Sequence, residues 1–173
     1  MNRIRIFAAA ALVVATGTAR LHAQSPAPAS TDTVAAGLLG STSGPFLALS
    51  VADLDRMVAW YRDTLGFRVF NTGTAPNGTI RFALLQQGNA LLELLQLPDA
   101  RPRSAAAPGT TAAYQIHGFF KSGFVVADID AVYSRVRAMR LPLAYELGQP
   151  PGGPYRSFGL RDPEGNLLQF FGR

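Results

Sequence analysis

Two stretches of this chain resemble each other at a displacement of 75 residues, from Asp53 to Asp128, and this repetition limits the fold more than any other feature. In 46–53 (Phe-Leu-Ala-Leu-Ser-Val-Ala-Asp) and in 121–128 (Lys-Ser-Gly-Phe-Val-Val-Ala-Asp), apolar residues alternate and an Asp closes the run. Alternation of this kind makes a strand, and the Asp that follows is placed to cap a helix. After Asp53, residues Leu54, Met57, Val58, Tyr61 and Leu65 recur at helical spacing, with Gly66 at the C-terminal cap. After Asp128, residues Ile129, Val132, Val136 and Met139 do the same, and Pro142 prevents continuation. Three strand-like runs follow each helix, at 67–72, 79–86 and 90–97, then at 143–147, 155–161 and 167–171. The predicted architecture is α+β: two βαβββ modules, about 45–97 and 114–172, forming a curved sheet that encloses a cleft, with the helices outside.

The segments between and before the modules read differently. Pro98, Pro102, Pro108 and Gly109 break any regular element over 98–113. Asp162, Pro163, Glu164 and Gly165 fit a type I turn, with Asn166 opening the last strand and Gln87-Gly88-Asn89 as the first-half echo. Residues 24–44, rich in Ala, Ser, Thr, Pro and Gly, read as a flexible linker. Ahead of them, Arg3 and Arg5 precede an apolar run over 6–15 and then small and polar residues, the pattern of a secretory signal peptide over 1–23. That run falls short of the ~20 residues that span a bilayer, so no stable membrane anchor is expected. The expected location is periplasmic or secreted.

Composition removes several functions. With no cysteine there is no disulfide, thiol nucleophile, thiolate metal site or lipid-modified cysteine. Three of the 16 basic residues (Arg3, Arg5 and Arg20) lie in the leader, which leaves +2 on the remainder against a formal +5 for the whole chain. That charge is too sparse for a nucleic-acid partner. No serine with a partnered base, glycine-rich phosphate loop or close acid pair stands out.

The strand-helix opening running through Trp60-Tyr61-Arg62-Asp63-Thr64-Leu65-Gly66-Phe67 and the closing Asp162-Pro163-Glu164-Gly165-Asn166-Leu167-Leu168-Gln169-Phe170-Phe171 resemble the vicinal oxygen chelate superfamily. That superfamily includes glyoxalase I, extradiol dioxygenases, fosfomycin-resistance transferases and bleomycin-resistance binding proteins, and the resemblance covers about 45–172. It implies a divalent metal held at the first residue of each opening strand and at a carboxylate in each closing strand. Those places fall on Phe46, Glu93, Lys121 and Gln169. A phenyl ring has no lone pair to donate and an ammonium is itself a cation, so a functional metal is disfavoured and no cofactor is expected. His117 is the single histidine outside the leader.

Alternation predicts the lining of the cleft. With Glu93 facing inward, Leu91 and Leu95 join it while Leu92 and Leu94 face the helices. The opening strands contribute Phe46, Ala48 and Ser50, then Lys121, Gly123 and Val125; the last strand contributes Leu167, Gln169 and Phe171. Phe46 and Phe171 suit either core packing or ligand contact, and Trp60 and Tyr61 suit packing. Arg81 and Arg156 are candidates for anion contacts, with solvated edge-strand positions as the alternative. Tyr114 and Tyr155 are candidate rim hydroxyls, and Gly152-Gly153 a candidate mobile edge. Lys121 is predicted to replace the metal, its ammonium directed at Glu93 and Gln169, the alternative being extension into solvent.

The resulting functional expectation is an exported protein that binds a mainly apolar small molecule without a working metal site. The resemblance implies a homodimer. A metal-dependent lyase, isomerase or dioxygenase with an unusual ligand set is the alternative, and a partner-binding module with a filled cleft is a third reading.

Overall fold

Each repeat folds as its alternation and its capping residues dictate, in a computed structural model that describes residues 44–76 and 78–173. The signal peptide and all but the last residue of the 24–44 linker lie outside the described residues.

In the first module, β1 (Phe46–Ser50) leads to Asp53, whose extended backbone (φ −130°, ψ 97°) and side chain cap α1 (Leu54–Leu65). The carboxylate accepts from the Arg56 amide at 3.0 Å. Gly66 ends the helix in the left-handed region at φ 74°, where a side chain would be strained. Strands β2 (Arg68–Thr74), β3 (Arg81–Gln87) and β4 (Ala90–Gln96) follow. The sheet order is β1-β4-β3-β2, with β1 parallel to β4 and the other pairs antiparallel.

The connection is more ordered than its prolines predict. Pro102, fixed near the φ that a helix start needs, precedes a single turn, α2 (Arg103–Ala106), and a 3₁₀ turn covers Ala113–Gln115.

The second module repeats the first. From β5 (Lys121–Val125) the chain reaches Asp128 at φ −131° and ψ 98°, which caps α3 (Ile129–Ala138) through the Ala131 amide at 2.8 Å. Here Met139 takes the C-cap, and Arg140 adopts the left-handed conformation at φ 53°. Met139 is half exposed, which corrects its expected place in the helix's apolar stripe. Strands β6 (Leu143–Gly148), β7 (Arg156–Arg161) and β8 (Leu167–Gly172) complete a sheet of order β5-β8-β7-β6. Phe46 pairs with Leu91 and Lys121 with Leu167, so the closing strands are related by 76 residues: between the equivalent pairs Gln86–Leu91 and Arg161–Leu167 the second hairpin holds one more residue.

One core serves both modules. Leu92, Leu94, Leu168 and Phe170 point to the helix side and are buried with Met57, Tyr61 and Ile129. Rings link across the module boundary, with Phe67 and Phe124 centroids 6.0 Å apart, Phe124 and Phe170 5.8 Å apart, and Phe158 stacked on Phe170 at 4.9 Å. Each such buried side chain contributes on the order of 1.5–3 kcal/mol relative to exposure. Trp60 and Tyr61 pack as expected, edge to face at 5.0 Å.

The turn at 162–166 does more than reverse the chain. Its Gly165 amide donates to the Asp162 carbonyl at 2.9 Å, the bond of the predicted type I turn. The buried Asp162 side chain also accepts from the amides of Glu164 (3.0 Å) and Asn166 (2.9 Å), from the Asn166 side chain (2.8 Å) and from the Tyr61 hydroxyl (3.2 Å). Glu164 reaches the first module, where Oε1 accepts from the amides of Ala52 (2.8 Å) and Asp53 (3.1 Å) at the entrance to α1. An anionic oxygen there is favoured by the dipole of the helix as well as by the two donors.

Candidate functional site

Strand register places the residues expected in the cleft in two groups. Phe46, Ala48 and Ser50 of β1 lie opposite Leu91, Glu93 and Leu95 of β4. Lys121, Gly123 and Val125 of β5 lie opposite Leu167, Gln169 and Phe171 of β8. Within each group the alternation holds: Leu92 and Leu94 are buried toward the helices, while Glu93 is half-buried on the other face. β1 and β5 are each the edge strand of a separate four-stranded sheet.

The first group is apolar around one carboxylate. Leu84 of β3 stands beside Glu93, and Phe82 lies over Gly73 of β2, where a Cβ would fall 2.7 Å from the ring. Phe46, 56% exposed, is no part of the core.

The second group holds a buried polar cluster that alternation alone did not reveal. Gln169 and Ser157 are 8% and 5% exposed, and the Gln169 amide nitrogen donates to Ser157 Oγ at 3.2 Å. Tyr145 covers them. Its ring lies on Gly159, where an added Cβ would be 2.3 Å from Cε1, and its hydroxyl meets the Ser157 and Gln169 side chains. Burial pushes the Tyr145 phenol up from its ordinary value, and the polar Ser157 and Gln169 side chains beside it draw it partly back. Gln169 Oε1 is buried with no hydrogen-bond partner. An unpaired buried acceptor costs roughly 1–3 kcal/mol, so this oxygen favours any donor that can reach it. Beside it, Gly123 runs so close to β8 that a Cβ would stand 1.9 Å from the Gln169 carbonyl oxygen.

Tyr145, Ser157 and Gly159 were missed at the level of sequence. The parity of β7 puts 157 and 159 on one face, but only the cross-strand register of Gly159 with both Tyr145 and Gln169 reveals the cluster.

Several expectations are corrected. Lys121 does not pair with Glu93: among the described residues no carboxylate lies within 4.0 Å of its ammonium, which stands 5.2 Å from the Phe120 ring centroid. The physical reason is solvation: Lys121 is exposed at the start of an edge strand and its ammonium lies over the ring of its own chain neighbour, while Glu93 is half-buried mid-strand opposite Ala48. Arg81 and Arg156 do not face the cleft as free anion contacts. Arg81 Nη2 meets Asp55 at 2.8 Å and Arg156 Nη1 meets Asp130 at 2.7 Å, each carboxylate in the first turn of its module's helix. The same ion pair thus recurs at the same 75-residue displacement. Tyr114 and Tyr155 are exposed, and the Tyr155 ring stands 5.6 Å from the Arg173 guanidinium. Gly152 and Gly153 form the β6–β7 loop, held by Gln149 donating to the Gly153 carbonyl at 2.8 Å.

The four family ligand positions do not make a metal site. Phe46 and Lys121 supply no donor, which leaves only Glu93 and Gln169 of the four. No group of three or more His, Cys, Asp or Glu among the described residues could hold an ion, and His117 is exposed in the loop before β5. The residues present do not fit a chelated divalent cation.

Two βαβββ modules, each closing on a strand with a polar residue at its centre, define a class of proteins, and comparison with known families agrees. Residues 45–170 match the Glyoxalase/Bleomycin resistance protein/Dioxygenase superfamily, and the chain belongs to that superfamily. No curated protein matches it in sequence. Among solved structures it is similar to the glyoxalase family protein from Enterococcus faecalis (TM-score 0.60, 18% identity, covering 76% of this chain and 96% of that one). It is also similar to TioX from Micromonospora sp. ML1 (TM-score 0.51, 27% identity, covering 75% and 94%). A third is the lactoylglutathione lyase from Agrobacterium tumefaciens (TM-score 0.51, 24% identity, covering 76% and 94%). These likenesses establish the fold, and one fold carries many chemistries.

Proposed function

We propose that this chain is a small-molecule-binding protein that holds a mainly apolar ligand beside the Tyr145 ring, against the sheet face that carries Gln169, without a metal ion. The observation that carries the reading is Gln169 Oε1, a buried acceptor without a partner on the face that holds Gly123, Gly159 and Phe171. Apolar walls with one or a few directional polar atoms are how small-molecule sites achieve both affinity and orientation. The ligand therefore carries an N–H or O–H donor on an apolar body. Phe46, 56% exposed, and Val125, 78% exposed, leave apolar surface on both edge strands, which supports a homodimer as the working form. The composition of the first 23 residues supports export to the periplasm or beyond.

The test is native mass spectrometry of protein purified from a metal-replete preparation, with elemental analysis of the same sample. The expected result is a retained organic molecule at less than stoichiometric metal, with retention reduced by Gln169→Leu. One tightly held metal ion per chain would overturn the reading in favour of a metal-dependent enzyme.

A further inference from the structure

A second cavity lies where the end of β1 meets the start of β5 under the connecting segment. It measures about 210 Å³ and is lined by Ser50, Ser122 and Asn166, by Arg103 and Lys121, and by an apolar side that includes Phe119 and Phe120. Neither cation has a carboxylate partner among the described residues, although the other four ion pairs show that arginines here take one where it is in reach. Two positive charges facing one cavity with no anion between them repel each other, and a bound anion would remove that repulsion.

The duplication offers a comparison for this composition. Its repeat relation carries Leu49, Ser122, Asn166 and Leu167 of the cavity onto Phe124, Leu47, Ala90 and Leu91. Those four residues line a void of only about 10 Å³ at the corresponding place, closed by apolar side chains. The void reached by the repeat relation is thus narrow and mainly apolar, whereas the cavity is roomy, hydroxyl-bearing and cationic. The connecting segment, which has no counterpart in the repeat, adds Arg103, Phe119 and Phe120.

We propose that this cavity is a binding site for a small organic anion, a phosphate or carboxylate on an apolar body. Arg103 and Lys121 hold the anionic group, Ser50 and Ser122 donate hydroxyls to it, and Phe119 and Phe120 cover the apolar part. A guanidinium and an ammonium suit such a group, one as a planar fork and the other as a compact charge. The site draws Lys121 from β5 and Leu167 from β8, the strand of Gln169, but does not include Gln169 itself.

The experiment is a titration of the ¹⁵N-labelled full chain, followed by amide shifts, with phenyl phosphate, inorganic phosphate and phenol as probes. Phenyl phosphate should give saturable shifts at Ser50, Arg103, Lys121, Ser122 and Asn166, while phenol gives none. Inorganic phosphate should bind more weakly. The double variant Arg103→Gln, Lys121→Gln should weaken phenyl phosphate by at least about tenfold, and Arg103→Lys, Lys121→Arg should restore most of it. Shifts that never saturate, or affinity unchanged in the Gln double variant, would overturn the site. Inorganic phosphate binding as tightly as phenyl phosphate would overturn its organic half. Because phenol and phenyl phosphate are compared on the unaltered chain, the proposal is decided even if a variant does not fold.

Discussion

The hydroxyl of Tyr61 donates to the carboxylate of Asp162 at 3.2 Å, and both residues are buried, so a helix of the first module is tied to the closing turn of the second inside the core they share. Removing the donor as Tyr61→Phe should destabilise the fold by about 1–2 kcal/mol, measured by chemical denaturation. Asp162→Ala should cost more, above about 2 kcal/mol, because it orphans donors of Glu164 and Asn166 as well. Equal losses for the two variants would show that the turn does not depend on the carboxylate.

The same contact sets an alkaline limit. Burial, and then the neighbouring Asp162 carboxylate, push the Tyr61 phenol far above the ordinary tyrosine range. The folded state therefore keeps a proton that the unfolded chain releases above about pH 10. Its contribution to stability is complete below that pH and falls as pH rises beyond it. Denaturation midpoints recorded upward from pH 9 should decline, and Tyr61→Phe should flatten part of that decline. An identical slope in the variant would assign the loss to other groups.

Asp53 and Asp128 cap their helices with the same backbone conformation and the same acceptor geometry. Asp53→Ala and Asp128→Ala should each cost about 1 kcal/mol, and the two losses should add, since the caps share no partner. Thermal unfolding of the single and double variants tests both points, and strong non-additivity would contradict independent caps.

Gly123 and Gly159 flank Gln169 from the two strands on either side of β8 but meet different obstacles. An alanine Cβ at 123 would collide with the backbone carbonyl of Gln169, whereas at 159 it would meet the Tyr145 ring, which can swing away. Gly123→Ala should therefore be the more destabilising by more than about 1 kcal/mol. Gly159→Ala should remain folded while moving Tyr145, visible as altered ring resonances. A reversed order of stability would refute this account of the two positions.

Lys121 and Glu93 belong to separate sheets and form no ion pair. Lys121→Met and Glu93→Gln should each change stability little, and the double-mutant coupling should stay below about 0.5 kcal/mol. A coupling of several kcal/mol would restore the pair that strand position alone led one to expect.

Periodicity and capping chemistry determined the elements themselves. The alternation at 46–50 and 121–125 and the Asp closing each run depend on neighbours a few residues apart, so both modules were legible, with strand ends correct to within about two residues. The turn at 162–165 was legible for the same reason: Asp, Pro and Gly each satisfy a local conformational demand. Parity along single strands likewise gave the facing of Leu92 and Leu94 against Glu93. What tertiary structure alone decided is which of these faces meet. Whether Lys121 reaches Glu93, which carboxylate holds Arg81, and that Tyr145 covers Gln169 all depend on register and packing between residues far apart in sequence. One residue added within the second hairpin shifts the closing-strand relation from 75 to 76, and only the pairing of the strands shows it.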